Sequence, residues 1–358
     1  MKISVVMVNY KTQELARGLI RQLEAMPIVT RIIVVDNSQD IPKSFADEFA
    51  KLRLIHNESN IGFGAAINQT IPSVDSEWML VINPDVRLRP GCLEHLMSAA
   101  INCRSPLVGP RFYWDDHCQL CLPPATGEAL WSHAGQACAD RYALDAKLYS
   151  FYWHIRHDRF WKSTEPFYEP FLSGACILIN TAWVRSMGNK LFDERFFLYF
   201  EDTDLCARAV LEGINPLCVP KAEAIHYYNQ SPEPSRKKIF AMQTSGDLFL
   251  KKYYGNQAVY QPMPHIDHPA ISHDCIEMGQ INRPPAFEID KNLCKSRKKV
   301  FFEVGINPLF IPFAQSCIDG YRFEFPADAW KRLSPGTYYV RARQEHSELV
   351  NLWKWTKI

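Results

Sequence analysis

The sequence predicts an α/β domain built on a mostly parallel sheet, followed by a small antiparallel β domain. Three observations predict it. Short continuous apolar runs at residues 3–8 (ISVVMV), 32–35 (IIVV) and 78–82 (WMLVI) suit strands buried on both faces. Helix-patterned segments separate these strands at the spacing of βαβ units. Near the C-terminus, 300–304 (VFFEV), 321–325 (YRFEF) and 337–343 (TYYVRAR) instead alternate apolar and polar residues.

The first strand stops at Asn9-Tyr10, and residues 12–24 place Leu15, Leu19, Ile20 and Leu23 on one side of an amphipathic helix. The second strand stops at Asp36-Asn37-Ser38, and a helix-like segment leads to a third strand at 52–56. Asn60-Ile61-Gly62-Phe63-Gly64 is a glycine-rich turn opening a helix that reaches Asn68, and the fourth strand ends in Asn83-Pro84-Asp85. Ligands of such sheets collect beyond the carboxyl ends of the strands. Asn9, Asp36, the 60–64 turn and Asp85 are therefore candidate binding groups as well as turn formers.

Residues 111–170 form an aromatic- and histidine-rich insertion. Its segment 148–161 (LYSFYWHIRHDRFW) suits an interfacial helix, a sugar-contacting lid or a helix packed on the main sheet. Residues 171–179 (FLSGACILI) resume strand character, with Ser173-Gly174 allowing close backbone approach. After a strand at 216–220 and Ile225-His226 come a polar, basic loop at 229–238 (NQSPEPSRKK) and a helix at 239–254 ended by Gly255. The first domain thus covers 1–255, the Pro- and His-rich residues 256–285 form a linker, and 286–358 form the β domain.

Residues 191–213 (LFDERFFLYFEDTDLCARAVLEG) concentrate the chemistry. An aromatic run ends in Glu201-Asp202-Thr203-Asp204, helix formers follow, and Gly213 can close that helix. One acid would suffice to cap the helix. Three acids at the rim of an apolar segment fit a reactive or ligand-binding edge equally well.

Composition excludes several classes. Lys plus Arg number 40 against 39 Asp plus Glu, so the chain lacks the basic signature of a nucleic-acid binder. The odd count of 11 cysteines and the strand-like start argue against a secreted disulfide framework. Cys118 and Cys121 have CxxC spacing, but no second pair follows at zinc-site spacing. No apolar run reaches the roughly 18–20 residues that span a bilayer. The expected location is cytoplasmic, with peripheral attachment at the inner face of the cell membrane, for instance through residues 148–161.

The stretches VVMVNYKT, VVDNSQD, NESNIGFGAAINQ, LVINPDV, FLSGACILI and FDERFFLYFEDTDLCARA, with the late His226, occur in the order found in family 2 glycosyltransferases. Over about two thirds of the chain the sequence resembles that family, most closely its rhamnosyltransferase-like branch. The resemblance implies the GT-A fold (Rossmann-like, nucleotide-diphospho-sugar transferase) and a nucleotide-sugar donor. It also implies a divalent ion, Mg²⁺ or Mn²⁺, to hold the donor diphosphate. Asp85 and His226 match the metal ligands. The family's DxD appears here as Asn83-Pro84-Asp85, so one carboxylate is replaced by an amide. Asp36 matches the base-binding aspartate, with Asn9, Tyr10, Asn60, Gly62, Gly64 and Asn68 lining the nucleotide. Arg236, Lys237 and Lys238 would supply positive charge to the leaving group. Asp202 matches the general base of a single inverting displacement, Glu201 would orient the acceptor, and Asp204 would cap the helix.

The resemblance suggests dTDP-rhamnose or a UDP-sugar as donor and a saccharide or polyprenyl-linked saccharide as acceptor. Two rival readings are nucleotidyl transfer and a non-catalytic carbohydrate-binding protein. Nucleotidyl transfer calls for a basic glycine-rich loop after the first strand, where no glycine occurs until Gly18. Retention of Asp36, Asp85 and Asp202 argues against the non-catalytic reading.

Overall fold

The computed structural model describes residues 2–124, 143–228, 230–232, 235–255, 275–290, 299–344 and 349–358. The chain forms two compact units, one of residues 2–111 and 163–255 and one of 112–124, 143–162 and 275–358 among those described.

In chain order the first stretch contains β1 (Ile3–Asn9), α1 (Gln13–Glu24), β2 (Val29–Asp36), β3 (Leu52–His56) and α2 (Phe63–Asn68). It continues with β4 (Trp78–Ile82), β5 (Val86–Leu88), α3 (Cys92–Asn102) and β6 (Leu107–Tyr113). Helix α4 (Ala143–Lys162) falls in the second unit, and the chain returns to the first with β7 (Phe167–Tyr168), β8 (Cys176–Asn180) and α5 (Thr181–Ser186). Then come α6 (Glu201–Leu211), β9 (Leu217–His226) and α7 (Ser235–Tyr254).

The strands of the first unit run in the order β3-β2-β1-β4-β8-β6-β9-β5, with β7 beside β9. Only the N-terminal half is parallel: β1 pairs β2 and β4, and β2 pairs β3, all parallel, whereas β4–β8, β6–β8 and β5–β9 are antiparallel. The mostly parallel expectation therefore holds only for β1–β4. The later strands have the same apolar character, and strand direction is not written in that character. Residues 217–226 form one continuous strand rather than two pieces, with Pro220 accommodated inside it.

The second unit carries a five-stranded sheet, with β10 (Cys275–Ile281), β12 (Val300–Gly305), β13 (Phe313–Ile318), β15 (Gly336–Gln344) and β16 (Leu349–Lys357) in the order β10-β16-β15-β12-β13. A separate ladder joins β11 (Ala286–Glu288) to β14 (Arg322–Glu324), and α8 (Ala327–Arg332) completes the unit. Its core is aromatic, built on Phe287, Phe302, Phe323, Trp330, Trp353 and Trp355. Two boundaries differ from the sequence reading. Strand β10 lies within the expected linker, of which 256–274 fall outside the described residues. It pairs parallel to β16 and is broken by a register shift between Glu277 and Gln280, which hides its alternation. The described part of the aromatic insertion belongs largely to this second unit: Trp153 packs with Leu309 and Ile311, and Trp161 with Phe310 and Phe313. Residues 125–142 of that insertion lie outside the described residues.

Candidate active site

Parallel pairing of β1 with β2 sets Asn9 opposite Asp36 at their carboxyl ends. The Asn9 amide donates to Asp36 Oδ1 at 3.0 Å, and its own oxygen accepts from the backbone and hydroxyl of Thr12. Asp36 also accepts from the backbone N–H groups of Ser38 and Ile41 and from the Ser38 hydroxyl. Burial pushes its carboxyl up, but these hydrogen bonds outweigh burial and leave it below the ordinary carboxylate value. Both side chains are fully buried and serve the turn. Tyr10, next in the chain, is half-exposed.

The 60–68 motif packs against a segment far along the chain. Gly62 precedes α2 with φ 89°, and a Cβ there would lie 2.7 Å from the Phe197 carbonyl oxygen. A Cβ on Gly64 would meet that of Phe192 at 3.0 Å. Asn68 brackets Phe192, donating to its carbonyl at 2.8 Å and accepting from its N–H at 3.0 Å. Asn60 accepts from Asn37 and from the Gly62 N–H. The described geometry thus turns these glycines and Asn68 towards the 192–197 segment, the approach to the acidic cluster.

That approach is clamped from other sides as well. Ser245 of α7 donates to the Leu198 carbonyl at 2.8 Å, and Arg208 of α6 reaches the Leu191 carbonyl. Tyr199 and Phe200 both take the left-handed conformation, φ 67°. Each such non-glycine residue costs about 1 kcal/mol or more, which the surrounding contacts must offset. The kink delivers Glu201, Asp202 and Asp204 into the first turn of α6, inside the helix rather than before it, and Gly213 follows its end with φ 76°.

The three acids then separate. Asp204 is not a cap. It is fully buried and held by Lys252, by the Tyr253 hydroxyl at 2.8 Å and by Arg208 at 2.8 Å. Asp202 is half-buried; its Oδ2 accepts from the Gly174 N–H at 2.7 Å and its Oδ1 from Thr203. Glycine at 174 permits this close approach, since a Cβ would lie 3.0 Å from the Asp202 Cβ. Burial pushes Asp202 up, and these N–H donors pull it partly back. Glu201 is 7% exposed, and its Oε2 has no hydrogen-bond partner among the described residues. Burial, then the charge of Asp202, pushes its carboxyl to about 8. Glu201 therefore holds its proton at neutral pH.

Asp85 and His226 meet because β5 pairs β9 with Val86 opposite His226. His226 Nε2 lies 3.5 Å from Asp85 Oδ1. Residues 174–175 tie this pair to Asp202: Ala175 accepts from the Asn83 N–H at 2.9 Å, while its neighbour Gly174 holds Asp202. Tyr228, which the sequence reading passed over, packs on His226 with the ring centroids 4.5 Å apart and the rings tilted by 40°. An aromatic residue two positions after a strand-end histidine was the available signal.

One carboxylate and one imidazole make a mixed O/N donor set suited to Mg²⁺ or Mn²⁺ when a diphosphate supplies further oxygens. Among the described residues no group of three or more His, Cys, Asp or Glu side chains forms a metal cage, at Cys118 and Cys121 or elsewhere. Arg236 and Lys237 lie exposed in the first turn of α7, not in a loop; of the expected loop, 229, 233 and 234 are outside the described residues. Lys238 donates to the Ser231 carbonyl at 2.8 Å.

Residues 4–187, half of the chain, match the profile of Glycosyl transferase family 2. Over 217 residues the chain is 29% identical to an N-acetylglucosaminyl-diphospho-decaprenol L-rhamnosyltransferase of Mycobacterium tuberculosis, covering 55% of this chain and 66% of that protein. It is 24% identical to Rhamnosyltransferase WbbL of Escherichia coli over 251 residues, 66% of this chain and 88% of that one. Among solved structures, S. aureus TarS in complex with UDP-GlcNAc superposes with a TM-score of 0.46 at 14% identity, covering 72% of this chain and 69% of that one.

Proposed function

Since the chain belongs to glycosyl transferase family 2, we propose that it transfers a sugar, rhamnose from dTDP-rhamnose, to a hydroxyl of a saccharide carried on a polyprenyl diphosphate. The rhamnosyltransferase names of two relatives, one of them acting on an N-acetylglucosaminyl-diphospho-decaprenol by its name, support this choice over a UDP-sugar. The observation that carries the reading is the Asp202 carboxylate, fixed by the Gly174 N–H and tied through residues 174–175 to the Asp85–His226 turn.

Asp202 takes the proton from the acceptor hydroxyl as its oxygen bonds to the anomeric carbon. The bond from that carbon to the diphosphate oxygen breaks at the same time, so configuration inverts and the nucleoside diphosphate leaves. Neutral Glu201 can donate a hydrogen bond to an acceptor oxygen beside Asp202. Asp85 and His226 would hold the divalent ion, which neutralises diphosphate charge when bound. Asn83 orients this turn. The 60–68 motif and the Asp204 network hold the acids in place, and Tyr228 closes the side next to His226.

The test is rhamnose transfer to a synthetic N-acetylglucosaminyl-diphospho-lipid. Asp202→Asn should lower kcat by about 10²–10⁴-fold, the usual contribution of a general base, with donor affinity unchanged. Wild-type-like turnover by this variant would overturn the assignment of the base. Transfer from UDP-sugars in preference to dTDP-rhamnose would overturn the donor.

A further inference from the structure

Strand β9 ends at His226, and the two tyrosines that follow it differ in what holds them. Tyr227 is accounted for by packing. Its N–H donates to the Asp85 carbonyl at 3.1 Å, and the Arg87 guanidinium lies 5.7 Å from its ring centroid. Tyr228 takes the left-handed backbone conformation, φ 61°, which a bulky residue keeps only when its surroundings impose it. Gln230 supplies part of that constraint: its side-chain amide donates to the Tyr228 carbonyl at 2.6 Å and to the Tyr227 carbonyl at 3.4 Å.

This strained turn lays the Tyr228 ring against His226 and still leaves the residue 55% exposed. Burial therefore does not explain the strain, and backbone outliers of this kind gather where a ligand is gripped. The charges of Asp202 and Asp85 both reach the Tyr228 hydroxyl, so the open part of the ring lies near the proposed base and the proposed ion holder alike. In the proposed reaction the diphosphate sits at Asp85 and His226, and Asp202 serves the far side of the anomeric carbon. The group that spans those two places is the sugar of the donor. A pyranose presents a surface of C–H bonds edged by hydroxyls, and a tyrosine offers a matching apolar face with a polar tip. A 6-deoxyhexose, which has a methyl group in place of a hydroxymethyl, gives that face more apolar surface to cover.

We propose that Tyr228 is a specificity-determining residue whose exposed ring face packs on the donor's sugar and favours a 6-deoxyhexose. The assignment rests on the proposed transfer reaction and adds to it the group that reads the sugar.

The experiment is isothermal titration of the full chain, in Mn²⁺, with dTDP-rhamnose, dTDP-glucose and dTDP. The wild type should bind dTDP-rhamnose more tightly than dTDP-glucose. Tyr228→Ala should weaken dTDP-rhamnose by about three- to tenfold, the worth of one aromatic contact, leave dTDP unchanged and narrow the gap between the two sugars. Tyr228→Phe, which keeps the ring, should retain most of the preference. The dTDP titration reports on His226 and the ion, so equal weakening of dTDP and dTDP-rhamnose would reduce Tyr228 to a support for His226 and overturn the proposal. Wild-type-like affinity of Tyr228→Ala for dTDP-rhamnose would overturn it too, as would equal wild-type affinity for the two sugars. A wild type that binds none of the three would instead defeat the transfer reading and the proposal together, a result distinct from any of these.

Discussion

Replacing Glu201 by glutamine separates the proton this side chain retains from the space it fills. In the folded chain the carboxyl is pushed from 4.5 to about 8, first by burial and then by Asp202. In the unfolded chain it titrates near its ordinary value. Between those two values the unfolded state gives up a proton that the folded state keeps, so rising pH favours unfolding across that window and adds nothing above it. At about 1.4 kcal/mol per pH unit, the full span corresponds to roughly 5 kcal/mol for a rigid site, and relaxation on ionisation would reduce it. For a unit of this size that is on the order of 10 °C in Tm. Glutamine keeps the shape and cannot ionise. The Tm difference between Glu201→Gln and the wild type should therefore start near zero around pH 5, widen in favour of the variant up to about pH 8, and then level off. The assay is differential scanning fluorimetry of both proteins across that range. Parallel curves from pH 5 to 9 would refute the reasoning, because they would mean that Glu201 ionises as easily folded as unfolded.

Gly174→Ala pushes a methyl group into Asp202 and should cost about 1–3 kcal/mol while lowering kcat more than donor affinity, measured by Tm and steady-state transfer. Asn68→Ala removes both hydrogen bonds that bracket Phe192 and should cost about 2 kcal/mol or more, with donor Kd unchanged in a binding titration. Chelator should abolish transfer, and Asp85→Asn should raise the Mn²⁺ concentration for half-maximal rate at least about tenfold. Full activity in excess chelator would remove the metal assignment.

The parts of the fold that could be read from the sequence are those with a local signature. Residues 3–8, 32–35 and 78–82 became β1, β2 and β4 because a continuous apolar run has few other uses. The acidic helix and its closing Gly213 were visible for the same reason. What stayed hidden depends on pairing between distant segments. The NIGFGAAIN motif reads as a backbone cradle, yet its glycines are pressed against Phe192 and Phe197, more than 120 residues later. Asp204 reads as a cap because Lys252 and Tyr253, its partners, come from a helix about 50 residues away. The aromatic helix at 143–162 gives no hint in its own sequence that it sits on the C-terminal sheet. Asp85 and His226 were paired only through the family resemblance, and the β5–β9 register is what brings them together.

That register also fixes when the site comes into being. Strand β9 lies between β6 and β5 in the sheet although it is the last of the three to be synthesised. A chain emerging from the ribosome can assemble β1–β4 and fold Asp36 into its turn, while β5 still lacks its neighbour and Asp85 has no imidazole beside it. Glu201, Asp202, His226 and Tyr228 all follow the segment that carries the family's profile. The side chains proposed to move a proton and hold a diphosphate can therefore meet only once residue 228 has left the ribosomal tunnel.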